Sequence, residues 1–463
     1  MTDQPVAFSR AMKWLRPISA IIVFAFTLAV RIRGVSDHFW LLGDQIRDWG
    51  IAMRPFADLP LVGPPTHVGG YTIGPAFYWI LWTIRVVLGP WFDNLPHAGG
   101  IGQAALQSAA DAILLIAIWQ RTQSPWIALT TVLLVATSSF DLSLAALVWN
   151  PTMGTALAKI ATATVLLDWH RGSAVRAATA AALAWIAVHA YTGAIFVAVG
   201  VFTAFLVDPL VRGDRRLARR NAFVIAAVVA LLQLPYLAHQ FIGGRGQSAM
   251  GAVTFSVWRV LSGESPPELA KSVRGYASAV HSIQVSPWTL AGAGWGLLLC
   301  CGIVAVRRLH DPSLLAVTLL PQLAAIAGYS LFLDDLDSYY YLSLMPAAVL
   351  SVTLAATAMP SQRIARAVGA TLFVLALFLV PERLRYATTM FRMPEYRVLR
   401  DASRKIWSLH QPIRAIQTDF QLPPSSSPEF LFEILGGRID RQSSWVCVIR
   451  SDGNVLYRQV AGS

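Results

Sequence analysis

The sequence predicts an all-α polytopic membrane protein with about eleven transmembrane helices and a small C-terminal α/β lobe, and three observations predict it. Of its 463 residues 55% are hydrophobic and 13% charged, roughly half the charge share of an ordinary soluble domain. Apolar runs of spanning length recur from residue 17 to residue 381. The arginines gather in short clusters between those runs rather than on one basic face. The formal charge of +12 therefore serves topology, and no nucleic acid is expected as a partner. Sixteen Trp suit a chain with two membrane interfaces.

The first run, Pro17 to Val30, follows Arg10, Lys13 and Arg16 as a signal sequence would. No small-x-small cleavage site intervenes before Arg31 and Arg33, so it reads as a retained anchor with a cytoplasmic N-terminus. Further runs lie near 103–120, 125–147, 151–167, 174–190, 191–207, 221–240, 288–306, 313–333, 339–359 and 364–381. The run at 73–91 is bracketed by Gly74-Pro75 and Gly89-Pro90 and contains Arg85. If it does not cross, every basic cluster, including Arg212, Arg215, Arg216, Arg219 and Arg220, falls on the cytoplasmic side. It is therefore expected to be an interfacial helix, with Tyr78, Trp79, Trp82 and Trp91 in the headgroup layer. Cys300, Cys301 and Cys447 imply no disulfide framework.

The same parity divides the chain into a membrane domain, 1–381, with outer loops 34–102 and 241–287, and a periplasmic C-terminal domain, 382–463. In the latter, an amphipathic helix is expected from Pro394 to His410, then a linker at Pro423 to Pro428. A hairpin of Trp445 to Arg450 and Val455 to Val460 turns at Asp452-Gly453.

The outer stretches carry the chemistry. After the first run comes Gly43-Asp44-Gln45-Ile46-Arg47-Asp48, whose two acids share a helical face and repel unless a cation lies near. The bland alternative is an Asp and Arg pair on an exposed loop helix. The functional reading makes Asp44 a general base, a carboxylate placed to take the proton of an attacking hydroxyl. The Gly- and Pro-rich stretch from Gly63 to Pro75 predicts a shaped loop, not a regular element, and holds His67 and Tyr71.

The succession of an anchor, Gly-Asp-Gln-x-Arg-Asp, Gly-Pro-Pro-Thr-x-x-Gly-Gly-x-x-x-Gly-Pro-x-x-Tyr and then Trp149-Asn150-Pro151 opening a later run resembles the type-C superfamily of membrane glycosyltransferases. Within it, the protein O-mannosyltransferase and lipid A aminoarabinose transferase group is most similar. That resemblance implies an inverting transfer of a sugar from a polyprenyl-phosphate donor to a lipid, glycan or protein acceptor at the periplasmic face of a bacterial inner membrane. It places the catalytic carboxylate at Asp44. Gln45 stands where a second acid often stands, which disfavours a divalent metal held by paired acids, and no cofactor is assigned. Asp48 or Asn150 takes the second polar role. The relatives' Lys before the interfacial helix is replaced here by Thr72, Ile73 and Gly74, so the phosphate needs other ligands.

Substrate contacts are therefore expected from Arg47, Asp48, His67, Tyr71, Asn150 and, in the second outer loop, Lys271 and Arg274. Arg245, Arg259 and His281, with Glu264 and Glu268, are the other ionisable groups weighed there, some of them as plain surface pairs. Asp334, Asp335 and Asp337 precede Tyr339, Tyr340 and Tyr341 at an outer membrane end, where acids and tyrosines are ordinary; Asp335 and Tyr340 are taken as sugar contacts. Inside the runs, Asp111 and Lys159 are expected to pair with each other or with polar neighbours, while Asp141 lies nearer an outer end and His189 neighbours the active site. A transporter or flippase would show repeated halves and buried charge at mid-membrane. An O-antigen ligase or polymerase would lack the Gly-Asp-Gln-x-Arg-Asp segment.

Overall fold

The computed structural model of the chain describes residues 4–40, 43–66, 70–92, 95–167, 172–242, 249–284, 300, 302–304, 311–332, 336–359, 361–387, 393, 395–422 and 426–460. Among these, seven helical stretches are long and apolar enough to cross a bilayer: Trp14–His38, Ala98–Thr122, Thr192–Val211, Arg215–Ile242, Pro312–Ser330, Ser338–Ala356 and Gln362–Ala387. Pro125–Ala136 and Ala174–Ala190 are shorter apolar helices. The helix Asn150–Leu166 is buried along nearly its whole length among its neighbours. The run expected at 288–306 lies outside the described residues except for Cys300 and 302–304.

Two runs that look continuous in hydropathy are broken in space. The stretch 125–147 ends its first helix at Ala136, and a six-residue helix, Ser139–Leu144, follows. The hydroxyls cause the break: Ser138 caps the second helix by accepting the Asp141 backbone N–H at 3.4 Å. The span Pro312–Ser330 is likewise two segments joined at Leu319, where Pro321 cannot donate to the preceding turn. By contrast, the helix Ala76–Leu88 has thirteen residues, about 20 Å at the helical rise, too short for a hydrocarbon core of about 30 Å. Trp79 and Trp82 pack on Phe56 with centroids at 5.7 and 5.1 Å. Tyr78 departs from the expected headgroup position, turning inward to 2% exposure because its hydroxyl has a buried partner.

A square of four charges sits inside the bundle. Arg31 Nη2 donates to Asp111 Oδ2 at 2.5 Å and to Asp141 Oδ1 at 2.6 Å. Lys159 Nζ donates to Asp111 Oδ1 at 2.8 Å, to Asp141 Oδ2 at 2.6 Å and to Gln107 Oε1 at 3.0 Å. Asp111 and Lys159 thus pair as expected, but within a larger unit. Arg31, which resembles a flanking topology charge, and Asp141, at the break after Ala136, close the square. Two cations facing two anions leave no net charge in a site that water does not reach, the condition under which buried ions persist. The square ties the first helix, Gln4–Ile32, to Leu95–Thr122, Ser139–Leu144 and Asn150–Leu166.

After the last long helix comes the lobe. Glu395–Ser408 is amphipathic, burying Tyr396, Leu399, Ala402, Ser403 and Ile406 on one stripe. A three-stranded sheet follows in the order β1 (Ala415–Thr418), β2 (Trp445–Ile449), β3 (Val455–Gln459). β1 runs parallel to β2 with Ile416 opposite Cys447, and β2 runs antiparallel to β3 with Cys447 opposite Tyr457. The hairpin and its turn match the sequence reading, with Gly453 at φ 80°. Pro428, expected to end a linker, instead opens the helix Pro428–Ile434, capped by Ser427. The lobe docks on the segment after the first helix. Arg400 reaches the Ser36 carbonyl and, at 3.4 Å, Asp37, and the Tyr396 ring lies 5.6 Å from Phe39.

Candidate active site

A cavity of about 740 Å3 opens where the loop ends of the bundle meet the helix Gly43–Ala52. Asp44, Gln45 and Arg47 form part of its lining, with Pro65, Thr66 and Thr72 from the Gly- and Pro-rich loop. Trp149 and Asn150 contribute from the start of another helix, and Tyr339 and Tyr340 from a 3-10 turn, Ser338–Leu344. Val257, Phe196, Leu331 and Phe332 give the cavity apolar walls.

The two acids of the first motif part company on their short helix. Asp44 stands in the first turn with its side chain 60% exposed, while Asp48 is fully buried. Arg47 lies between them, donating from Nη1 to Asp44 Oδ1 and from Nε to Asp48 Oδ1, each at 2.8 Å. It is the cation that the repelling pair of acids calls for. Tyr78 donates to the same Asp48 oxygen at 3.0 Å. Burial pushes the Asp48 carboxyl up to about 6, against the hydrogen bond and charge of Arg47. Burial lowers the Arg47 guanidinium, but Asp48 and then Asp44 outweigh it and raise it. Burial and the Asp48 charge likewise raise the Tyr78 phenol. Asp48 therefore braces Arg47 from behind and does not reach the cavity, contrary to its expected role as a substrate contact. Tyr78, which sequence reasoning left in the headgroup layer, is the partner it missed.

The Gly63 to Pro75 stretch is more regular than its composition predicts. Gly63 N–H donates to Thr72 O at 3.2 Å, Thr72 N–H donates to Pro64 O at 3.0 Å, and Pro65 bridges Tyr71 in antiparallel fashion. His67 lies outside the described residues. Tyr71 is exposed and absent from the cavity lining; Thr66 and Thr72 line it instead. The loop rests on His189. A Cβ placed on Gly74 would meet the His189 ring at 2.2 Å, so only glycine allows this approach. His189 Nε2 faces Gln233 Oε1 at 3.3 Å, and Gln233 Nε2 donates to Ile73 O at 3.0 Å. His189 is 2% exposed beneath the loop, so it supports the site from behind instead of lining it.

Asn150 lines the cavity and donates from Nδ2 to Ala190 O at 3.2 Å. Pro151 beside it suits the start of the helix Asn150–Leu166, which explains the Trp-Asn-Pro order. Lys271 and Arg274 do not line the cavity: Lys271 pairs with Glu268 at 3.2 Å one helical turn away, and Arg274 is exposed, donating from Nε to Ala270 O on its own helix. From the helix Ala249–Leu261, the cavity takes Val257 instead. Arg259 pairs with Glu264 at 3.6 Å on the surface. Arg245, Asp334 and Asp335 lie outside the described residues.

No protein-family model matches the sequence, and no curated protein matches it. Solved structures do match in fold. ArnT from Cupriavidus metallidurans superposes in its apo state with a TM-score of 0.56 at 14% identity, over 93% of this chain and 86% of that one. The same protein bound to undecaprenyl phosphate gives 0.53 at 15% identity, over 91% and 85%. The archaeal oligosaccharyltransferase AglB from Archaeoglobus fulgidus, in complex with an inhibitory peptide and a dolichol-phosphate, gives 0.51 at 13% identity, over 94% and 69%. The chain shares the fold of ArnT and AglB, and among the described residues it carries a small C-terminal sheet.

Proposed function

We propose that this protein is an inverting glycosyltransferase that moves a sugar from a polyprenyl-phosphate donor to an envelope acceptor at the periplasmic face of a bacterial inner membrane. The observation that carries the reading is Asp44. It is an exposed carboxylate at the wall of a cavity that also has an arginine and apolar sides, a combination suited to a phosphosugar on a prenyl chain. The fold neighbours support the donor class, since one was solved with undecaprenyl phosphate and another with a dolichol-phosphate.

In this reaction Asp44 accepts the proton of the acceptor hydroxyl as its oxygen forms a bond to the anomeric carbon. The bond from that carbon to the phosphate oxygen breaks on the opposite face, and the electron pair leaves with the phosphate. Arg47 offers a charged planar donor to the departing phosphate while Asp48 and Tyr78 hold it in place. Its Nη1 also donates to Asp44 Oδ1, and Gln45 beside Asp44 supplies no second charge. Docking of the lobe on residues 36–39, just before the Asp44 helix, supports placing the C-terminus on the same face as the site.

The test is Asp44→Asn, which removes the base and keeps the shape. Mass spectrometry of envelope glycolipids and glycans should show the product lost while the variant is still expressed and folded. Product at the wild-type level would refute the role.

A further inference from the structure

Tyr339 and Tyr340 stack with ring centroids 4.6 Å apart and 24° between planes, and Trp149 meets Tyr339 edge-on at 5.1 Å. This aromatic wall is held rigid from behind. Tyr191 donates its hydroxyl to the Tyr339 carbonyl at 3.2 Å, and Tyr329 donates to the Tyr340 carbonyl at 3.0 Å. Neutral polar groups share the same cavity: Asn150, and Thr192, whose hydroxyl has no hydrogen-bond partner among the described residues. A phosphate is matched by Arg47 in the same cavity, and a prenyl chain has no use for amides and hydroxyls at its edge. A pyranose ring matches both features, with an apolar C–H face for a fixed aromatic surface and a rim of hydroxyls for neutral donors and acceptors.

We propose that Trp149, Tyr339 and Tyr340 form a stacking platform for a pyranose ring within reach of Asp44. The proposal rests on the transferase reading and adds where its carbohydrate lies. The ring belongs either to the donor or to a saccharide acceptor, and the experiment separates the two.

A strain lacking the gene is complemented with the Leu pair (Tyr339→Leu with Tyr340→Leu) or with the Phe pair (Tyr339→Phe with Tyr340→Phe), and the envelope glycan product is measured. Each purified protein is also mixed with undecaprenyl phosphate, and separately with the host membrane's lipid extract, for native mass spectrometry. The Leu pair should lower product about tenfold or more while the Phe pair, which keeps the aromatic faces, stays within about twofold. Both should retain undecaprenyl phosphate. If the Leu pair releases the sugar-bearing lipid of the extract, the platform holds the donor sugar; if it retains that lipid while product falls, the platform holds an acceptor sugar. Wild-type product from the Leu pair overturns the proposal, as does equal loss in the Phe pair or loss of undecaprenyl phosphate binding. An unchanged product in the Asp44→Asn strain sinks the transferase reading instead.

Discussion

Tyr78 donates its hydroxyl to Asp48 Oδ1 at 3.0 Å, joining the helix Ala76–Leu88 to the helix that carries Asp44, and the second Asp48 oxygen has no hydrogen-bond partner among the described residues. Half of a buried carboxylate is thus unsatisfied, which is why burial outweighs the attraction of Arg47. The folded-state value of about 6 stands against an ordinary value of 3.8. Because the folded value is raised, the stability this group contributes is fully present below the unfolded value. It is lost as pH rises through the folded one, by about 3 kcal/mol in all. The stability of wild type minus that of Asp48→Asn, from thermal unfolding in detergent, should therefore fall between pH 4 and pH 6 and stay level above. A flat difference curve would contradict this account.

The charge square predicts a non-additive pair. Lys159→Met leaves two buried aspartates facing Arg31 alone and should cost about 3 to 5 kcal/mol. Adding Asp111→Asn restores the balance of one cation and one anion, so the double variant should be less destabilised than the sum of the singles. Resistance to unfolding in SDS measures both; strict additivity would show that the four groups act independently.

Gly74 and His189 make a second coupled pair. Gly74→Ala drives a methyl into the imidazole, costing about 1 to 3 kcal/mol and displacing Thr72 from the cavity wall. His189→Ala opens space for that methyl, so the double variant should recover part of both stability and product formation. Glycan product and melting temperature across the four proteins report the coupling.

The lobe should order the Asp44 helix. Arg400→Ala removes the contacts to Ser36 and Asp37 and should speed hydrogen exchange in residues 35–52 while the β2 to β3 hairpin keeps its protection. Equal exchange in wild type and variant would show that the lobe merely rests there.

Charge parity makes a further prediction. A reporter fused after residue 216 should stay cytoplasmic, and one fused at residue 420 should appear outside. A cytoplasmic signal at 420 would place the Asp44 helix on the wrong face as well, because the lobe packs against residues 36–39.

Hydropathy, arginine placement and turn chemistry are local properties, and they were sufficient for the membrane class, most of the apolar helices, the amphipathic Glu395–Ser408 helix and the hairpin at Gly453. The motif order around Asp44 was legible for the same reason, since those residues follow one another along the chain. Which polar groups meet across helices was not legible. Arg31 reads as a flanking charge until Asp141 is brought to it by a break at Ser138, and Asp48 reads as a second site acid until Tyr78 turns inward. His189 reads as a site neighbour until Gly74 is found resting on it. Distances between residues far apart in sequence depend on packing, because a buried charge or hydroxyl takes whichever partner the folded bundle brings within hydrogen-bond reach. The tertiary structure alone therefore separated the carboxylate that faces the cavity from those that hold the bundle together.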